Sequence, residues 1–172
     1  QSLSIKDTDK ESFLPRFGMQ ITLCPGFNDI EFYGRGPIEN YADRKLSAFI
    51  GKYNQKVNDQ YYPYIRPQET GNKSDLRWFR LKHQNNNGFC LVSSKPFNAS
   101  ALHFSTKDLD DSPAKKQRHG LEVPPRPTTI LSVDLVQMGL GCIDTWGSLP
   151  MEKYLLKDNR YEFSFTIKPV NP

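Results

Sequence analysis

Glu39 and Glu69 are the acidic residues best placed for chemistry in this sequence, because both sit in spans whose glycines and prolines dictate the backbone path. Each has an arginine close by in sequence, Arg35 and Arg44 around Glu39 and Arg66 before Glu69. A guanidinium neighbour keeps a carboxylate ionised, which suits an ion pair and disfavours a general acid. The span Tyr33-Gly34-Arg35-Gly36-Pro37-Ile38-Glu39-Asn40-Tyr41-Ala42-Asp43-Arg44 offers Arg35, Glu39, Asn40, Asp43 and Arg44 as hydrogen-bonding groups at close spacing. It reads first as a structural loop held by Arg–carboxylate pairs and second as a binding loop.

Three further spans stand apart from plain strand or loop. Tyr61-Tyr62-Pro63-Tyr64-Ile65-Arg66-Pro67-Gln68-Glu69-Thr70-Gly71-Asn72 interleaves tyrosines with prolines, which makes a stiff, extended, aromatic ribbon. Tyr61 and Tyr64 could stack on a sugar, or the ribbon could pack between sheets or against a neighbouring domain. His103 lies in Phe97–Phe104 between apolar neighbours, where a lone strand histidine reads as a hydrogen-bonded core residue before a catalytic base. The stretch from Asp134 to Gly147 ends a strand and delivers Asp144 and Trp146 on a glycine-bearing loop. An indole flanked by Gly147 is poorly placed for a core and well suited to the apolar face of a sugar.

The elements that must position these residues are strands. Tyr161, Phe163, Phe165 and Ile167 alternate with polar residues, the period of a half-buried strand. Ile130–Gln137, the stretch holding Met19, Ile21 and Leu23, Ile30 with Phe32, Leu46–Tyr53, Leu76–His83, Phe89–Ser94 and Asn98–Ser105 also read as extended. Asn85-Asn86-Asn87-Gly88 predicts a tight hairpin, and Pro25-Gly26 and Asp158-Asn159 predict turns. One helical turn, capped by Ser105 or Thr106, is expected near Leu109, before a polar, proline-bearing surface loop from Asp110 to Pro127. The class is all-β, a large antiparallel β-sandwich rather than βαβ units. Residues 1–13 read as a polar N-terminal extension and 14–172 as the sandwich domain.

Composition narrows the function further. The formal charge of +4 comes from scattered residues, and the one basic cluster, Lys115, Lys116, Arg118 and His119, is too short for a nucleic-acid stripe. No apolar run approaches the roughly 20 residues that span a bilayer, so no membrane partner is expected. Cys24, Cys90 and Cys142 share no metal-type spacing and sit among apolar residues; buried free thiols are expected, and no metal or cofactor. The polar start, Gln1 to Glu11, is unlike a signal peptide, and without an initial Met the chain reads as part of something longer.

The four spans, in this order, resemble the C-terminal domain of β-galactosidases of glycoside hydrolase family 2. The resemblance rests on Gly-x-Gly-Pro-x-Glu-Asn-Tyr-x-Asp-Arg at Gly34–Arg44, Tyr-x-Pro-Tyr at Tyr61–Tyr64, and Pro-x-Glu-x-Gly at Pro67–Gly71. It continues with Met-Gly-x-Gly at Met138–Gly141, running into Asp-x-Trp at Asp144–Trp146. It implies a supersandwich fold related to galactose mutarotases, larger than 172 residues in the family, so that this chain would be N-terminally truncated and lack its first strands. The parent would be a retaining β-galactosidase, cytoplasmic or exported, whose two catalytic glutamates stand on a separate (β/α)8 barrel. The loop bearing Trp146 would reach that barrel's pocket and stack on the galactoside; Mg and Na ions would sit on other domains. Cys142 and Ile143 depart from the family's usual glycine and aspartate and make the loop stiffer and less polar ahead of Trp146. Other readings are a carbohydrate-binding module built on Tyr61, Tyr64 and Trp146, a mutarotase-like activity using His103, and a pure scaffold.

Overall fold

A computed structural model describes residues 1–4, 13–110, 118–141 and 147–170. Among the described residues nine strands carry the fold: β1 (Ser2–Ser4), β2 (Arg16–Leu23), β3 (Phe27–Gly36), β4 (Phe49–Lys56), β5 (Lys73–His83), β6 (Gly88–Leu102), β7 (Thr129–Gln137), β8 (Arg160–Glu162) and β9 (Thr166–Val170). Every pairing is antiparallel. The main sheet runs β2-β7-β6-β5-β3-β4, with β9 also on β6, and β1 pairs β8 in a second, two-stranded sheet. The result is the antiparallel, sandwich-like all-β class expected from the alternation. The described residues hold no helix long and apolar enough to cross a membrane.

Period-two patterning explains the burial. Ile30 and Phe32 on β3, Leu76, Phe79 and Leu81 on β5, Leu91 and Phe97 on β6, and Leu131 and Val133 on β7 fill one continuous core. Each such side chain, fully buried, stabilises by about 1.5–3 kcal/mol. Phe163 and Tyr161 close the core from the second sheet's side. A smaller cluster of Leu102, Phe104, Leu109 and Val123 lies where the chain leaves β6.

Several expectations shift in detail. The alternating run from Tyr161 to Ile167 is two strands, because Tyr161 pairs with Leu3 while Ile167 pairs with Leu91. Ile167, on the edge strand β9, is 50% exposed rather than buried. The two extended stretches around Pro96 merge into the single strand β6, which tolerates a proline where its residues 93–96 have no pairing partner in the main ladder. Leu46 falls in a turn before β4 and is exposed. The single turn at Ser105 forms as expected, with Ser105 Oγ accepting from Asp108 N at 3.3 Å. The Asn85–Gly88 hairpin forms as expected, closed by His83 N donating to Asn87 O at 2.7 Å, with Asn86 at φ 67°. Cys24 is exposed, not buried, because it follows the last residue of β2 at the turn into β3; Cys90 is half-buried, and burial pushes its thiol up. Cys142 lies outside the described residues.

Candidate functional site

Glu39 is the hub of the first polar cluster. Its Oε1 accepts from Arg44 Nη2 at 2.7 Å and from the Tyr64 hydroxyl; its Oε2 accepts from Thr70 Oγ1 at 2.9 Å and from Gly71 N at 2.6 Å. Gly71 has φ 78°, a conformation that glycine adopts without strain and that presents its N–H to the carboxylate. Burial alone would raise the Glu39 carboxyl, but the bonds from Tyr64, Gly71, Arg44 and Thr70 outweigh it and hold the group below its ordinary value. The Tyr64 hydroxyl is pushed up to about 12, by burial and by the bond it donates to Glu39. Arg44 also stacks 4.7 Å above the fully buried Tyr41 ring.

Around that hub Asn40, Arg35 and Lys45 are also occupied. Asn40 has no exposed surface: its Nδ2 donates to the Arg35 and Ile38 carbonyls at 3.0 Å each, and its Oδ1 accepts from Ser74 N at 3.1 Å and from the Ser74 hydroxyl. Arg35 pairs with Asp75 at 2.5 Å and caps the Ala48 carbonyl at 2.9 Å, while Lys45 reaches the same Asp75 at 3.0 Å. These bonds weld the loop to the start of β5.

Glu69 belongs to a second cluster. Its Oε2 meets Arg16 Nη1 at 3.1 Å and its Oε1 accepts from the Tyr41 hydroxyl at 3.4 Å. Arg16 also binds Asp134 through Nε at 3.3 Å and through Nη2, and Gln137 Nε2 donates to Asp134 at 3.0 Å. Burial raises the Glu69 carboxyl, the Arg16 charge only partly opposes it, and the nearby Asp134 adds to the rise. The expectation that an arginine adjacent in sequence holds the Glu69 carboxylate is corrected as to partner and direction: the contact comes from Arg16, and the carboxyl is raised rather than lowered. Arg66 is exposed with no partner among the described residues, and the cation at Glu69 comes from β2. Sequence reading missed Arg16 and Asp134; the usable signal was an acid set inside the apolar run of β7.

Asp43 joins the loop to the span that leads toward Trp146. Its Oδ2 accepts from Gly141 N, and Oδ1 is buried with no partner among the described residues. The approach requires glycines: a Cβ at Gly139 would stand 2.7 Å from Asp43 Oδ2, and one at Gly141 2.9 Å from it. Gly139 N donates to Tyr154 O at 3.0 Å and Met138 N to Pro15 O at 2.9 Å, so backbone bonds fix this strand exit as well.

The remaining candidates are placed elsewhere. Tyr61 stacks on Phe104 with centroids 4.2 Å apart and donates its hydroxyl to Gly120 O at 2.8 Å. His103 is 9% exposed; its Nδ1 lies 3.0 Å from Thr128 O, and no carboxylate bonds it among the described residues. Asp144 and Trp146 lie outside the described residues, as do Lys115 and Lys116 of the basic cluster. Among the described residues, no group of three His, Cys, Asp or Glu side chains could hold a metal ion.

Fold and clusters together define an antiparallel β-domain with a rigid, polar loop system at one strand exit. The model of the β-galactosidase small-chain family matches residues 1–167. The β-galactosidase of Priestia megaterium (strain DSM 319 / IMG 1521) is 35% identical over 171 residues, 99% of this chain and 16% of the relative. That of Streptococcus thermophilus is 34% identical over 159 residues, 91% of this chain and 15% of the relative. A Halalkalibacterium halodurans β-galactosidase is 32% identical over the same share of the chain. The chain belongs to the β-galactosidase small-chain family, and it spans about one sixth of the length of these relatives.

Proposed function

We propose that this chain works as the C-terminal, non-catalytic β-domain of a family 2 β-galactosidase. In this reading it lends Trp146, with Asp144, to a galactoside site whose catalytic glutamates stand on a separate (β/α)8 barrel. The observation that carries the reading is the anchoring of the strand exit. Asp43 grips Gly141, five residues before Trp146, and is itself held in a loop whose Glu39 and Asn40 are saturated with hydrogen bonds. A ring that must meet a sugar held by another domain needs such a fixed root, since a small misplacement forfeits much of the gain from positioning.

The described carboxylates support a non-catalytic role. Glu39 accepts four bonds and is held ionised, which leaves it unfit as a general acid. A mutarotase-like reading is disfavoured, because His103 Nδ1 is bonded to the Thr128 carbonyl and no carboxylate among the described residues bonds the ring.

The test is Trp146→Ala in the full-length enzyme, with Asp43→Ala and Asp43→Asn beside it. Trp146→Ala should weaken galactoside affinity about tenfold, the equivalent of a lost aromatic contact of ~1.4 kcal/mol. Asp43→Ala should reproduce part of that loss, and Asp43→Asn, which keeps an acceptor for Gly141, should restore most of it. Unchanged affinity and turnover in Trp146→Ala would leave the chain a scaffold.

A further inference from the structure

Asn87-Gly88 is the only Asn-Gly step in the sequence, and it stands where the β5–β6 hairpin returns to the sheet. Residues 84–87 are exposed. The backbone of Asn87 is held: its carbonyl accepts from His83 N at 2.7 Å, and its N–H donates to Asn85 Oδ1 at 3.1 Å. Its side-chain amide, by contrast, has no hydrogen-bond partner among the described residues. Gly88 is the first residue of β6 and pairs with Lys82 and with Val170 at the end of each ladder, where pairing opens most readily.

Asparagine is a thermolabile residue, and one followed by glycine is open to attack from within the chain. The next residue's amide nitrogen can reach the side-chain carbonyl carbon and close a five-membered ring, an approach that a Cβ on that residue hinders and glycine leaves clear. Asn87 meets this condition and its neighbours do not. Asn85 is followed by Asn86, and its Oδ1 is already bonded to Asn87 N; Asn86 is followed by Asn87. Asn98 is followed by Ala99 inside β6, with its Nδ2 donating to Leu135 O at 3.2 Å.

We propose that Asn87 is a site of spontaneous deamidation, with the chain's own Gly88 nitrogen as nucleophile and water as the only co-reactant. Gly88 N gives up its proton to hydroxide and bonds to Asn87 Cγ; the Cγ–Nδ2 bond breaks and ammonia leaves. Water then opens the cyclic imide at either carbonyl. One opening leaves an aspartyl residue with the main chain unchanged. The other leaves an isoaspartyl link that runs through the former side chain and lengthens the main chain by one carbon. That link enters β6 at a crowded point, since even a Cβ on Gly88 would stand 2.3 Å from Leu81 O. The isoaspartyl product therefore loosens the hairpin, while the aspartyl product only adds a negative charge to an exposed turn. The site is independent of the role proposed for Trp146, so the two readings fail separately.

The test incubates the folded full-length enzyme at pH 9 and at pH 6 and digests it with trypsin beside a fresh control. The fragment His83–Lys107 holds Asn85, Asn86, Asn87 and Asn98 together, because trypsin does not cut Lys95 before Pro96. Mass spectrometry should show the amide-to-acid mass gain at Asn87 about tenfold faster than at the other three, the effect of a barrier lower by ~1.4 kcal/mol. The rate should be higher at pH 9, where hydroxide is more abundant, and Asn87→Ser should abolish the gain at that position. Electron-transfer fragmentation should find both the aspartyl and the isoaspartyl product. Conversion of Asn87 only after unfolding in urea overturns the proposal, since the β6 ladders would then shield Gly88 N. Conversion of Asn85 or Asn86 at an equal rate overturns it too, since the missing Cβ at Gly88 would then not decide the site.

Discussion

Glu39 and Glu69 look alike in sequence and are held in opposite ways. Both sit in glycine- and proline-bearing loops with an arginine nearby, and both are largely enclosed. Glu39 receives four hydrogen bonds, two on each oxygen, and its carboxyl is lowered. Glu69 receives one arginine contact, shared with Asp134, and one long tyrosine bond, and its carboxyl is raised. Whether burial or bonding wins is decided by the number of donors and by who else competes for the cation, not by an arginine's nearness in sequence.

Removing the hub tests this contrast most severely. Glu39→Ala strands the Arg44, Thr70 and Gly71 donors together, and breaking such a network is expected to destabilise by about 3–5 kcal/mol. A drop in the urea midpoint at constant m value would show it. A shift under about 1 kcal/mol would mean water replaces the carboxylate freely. The pH dependence follows from the sign of the shift. Because folding lowers the Glu39 carboxyl, its contribution is present above the ordinary value of 4.5 and is lost as pH falls through the folded-state value.

The second cluster responds to the loss of its cation. Arg16→Met leaves Glu69 and Asp134 facing each other without compensation, an expected loss of about 2–3 kcal/mol at pH 7. Acidification should recover part of it, because protonating Glu69 removes one of the two charges. Stability of this variant measured from pH 7 to pH 5 should therefore rise as pH falls. A flat profile would show that the two carboxylates do not feel each other.

What was legible in the sequence follows the range of the forces involved. The strands were readable because alternation is local: Ile30 and Phe32, or Leu131 and Val133, announce a buried face from two residues apart. The hairpin at Asn86 was readable because turn chemistry is local too. The break between Tyr161 and Ile167 was not, since it depends on Leu3 and Leu91 pulling the run to different sheets. Among site residues, Asn40 and Glu39 carry their role in the motif itself. Arg16 acquires its role only by spanning 53 residues to Glu69 and 118 to Asp134.

The same substitution at the two glutamates gives the finest discrimination. Glu69→Gln removes a charge that the fold holds at a disadvantage. An amide oxygen can still accept from Tyr41, Arg16 keeps its two contacts with Asp134, and the repulsion between Glu69 and Asp134 disappears. The lost Arg16–Glu69 attraction is offset by these gains, so the net change at pH 7 is expected within about 1 kcal/mol of zero. The sign of its pH dependence is the reverse of that for Glu39. A raised carboxyl contributes stability below its ordinary value of 4.5 and loses it as pH rises through the folded-state value, and Glu69→Gln should abolish that slope. Thermal unfolding from pH 4 to pH 8 reads both quantities at once. If Glu69→Gln proved as damaging as Glu39→Gln, the arginine contact would outweigh burial, and the distinction between the two clusters would collapse.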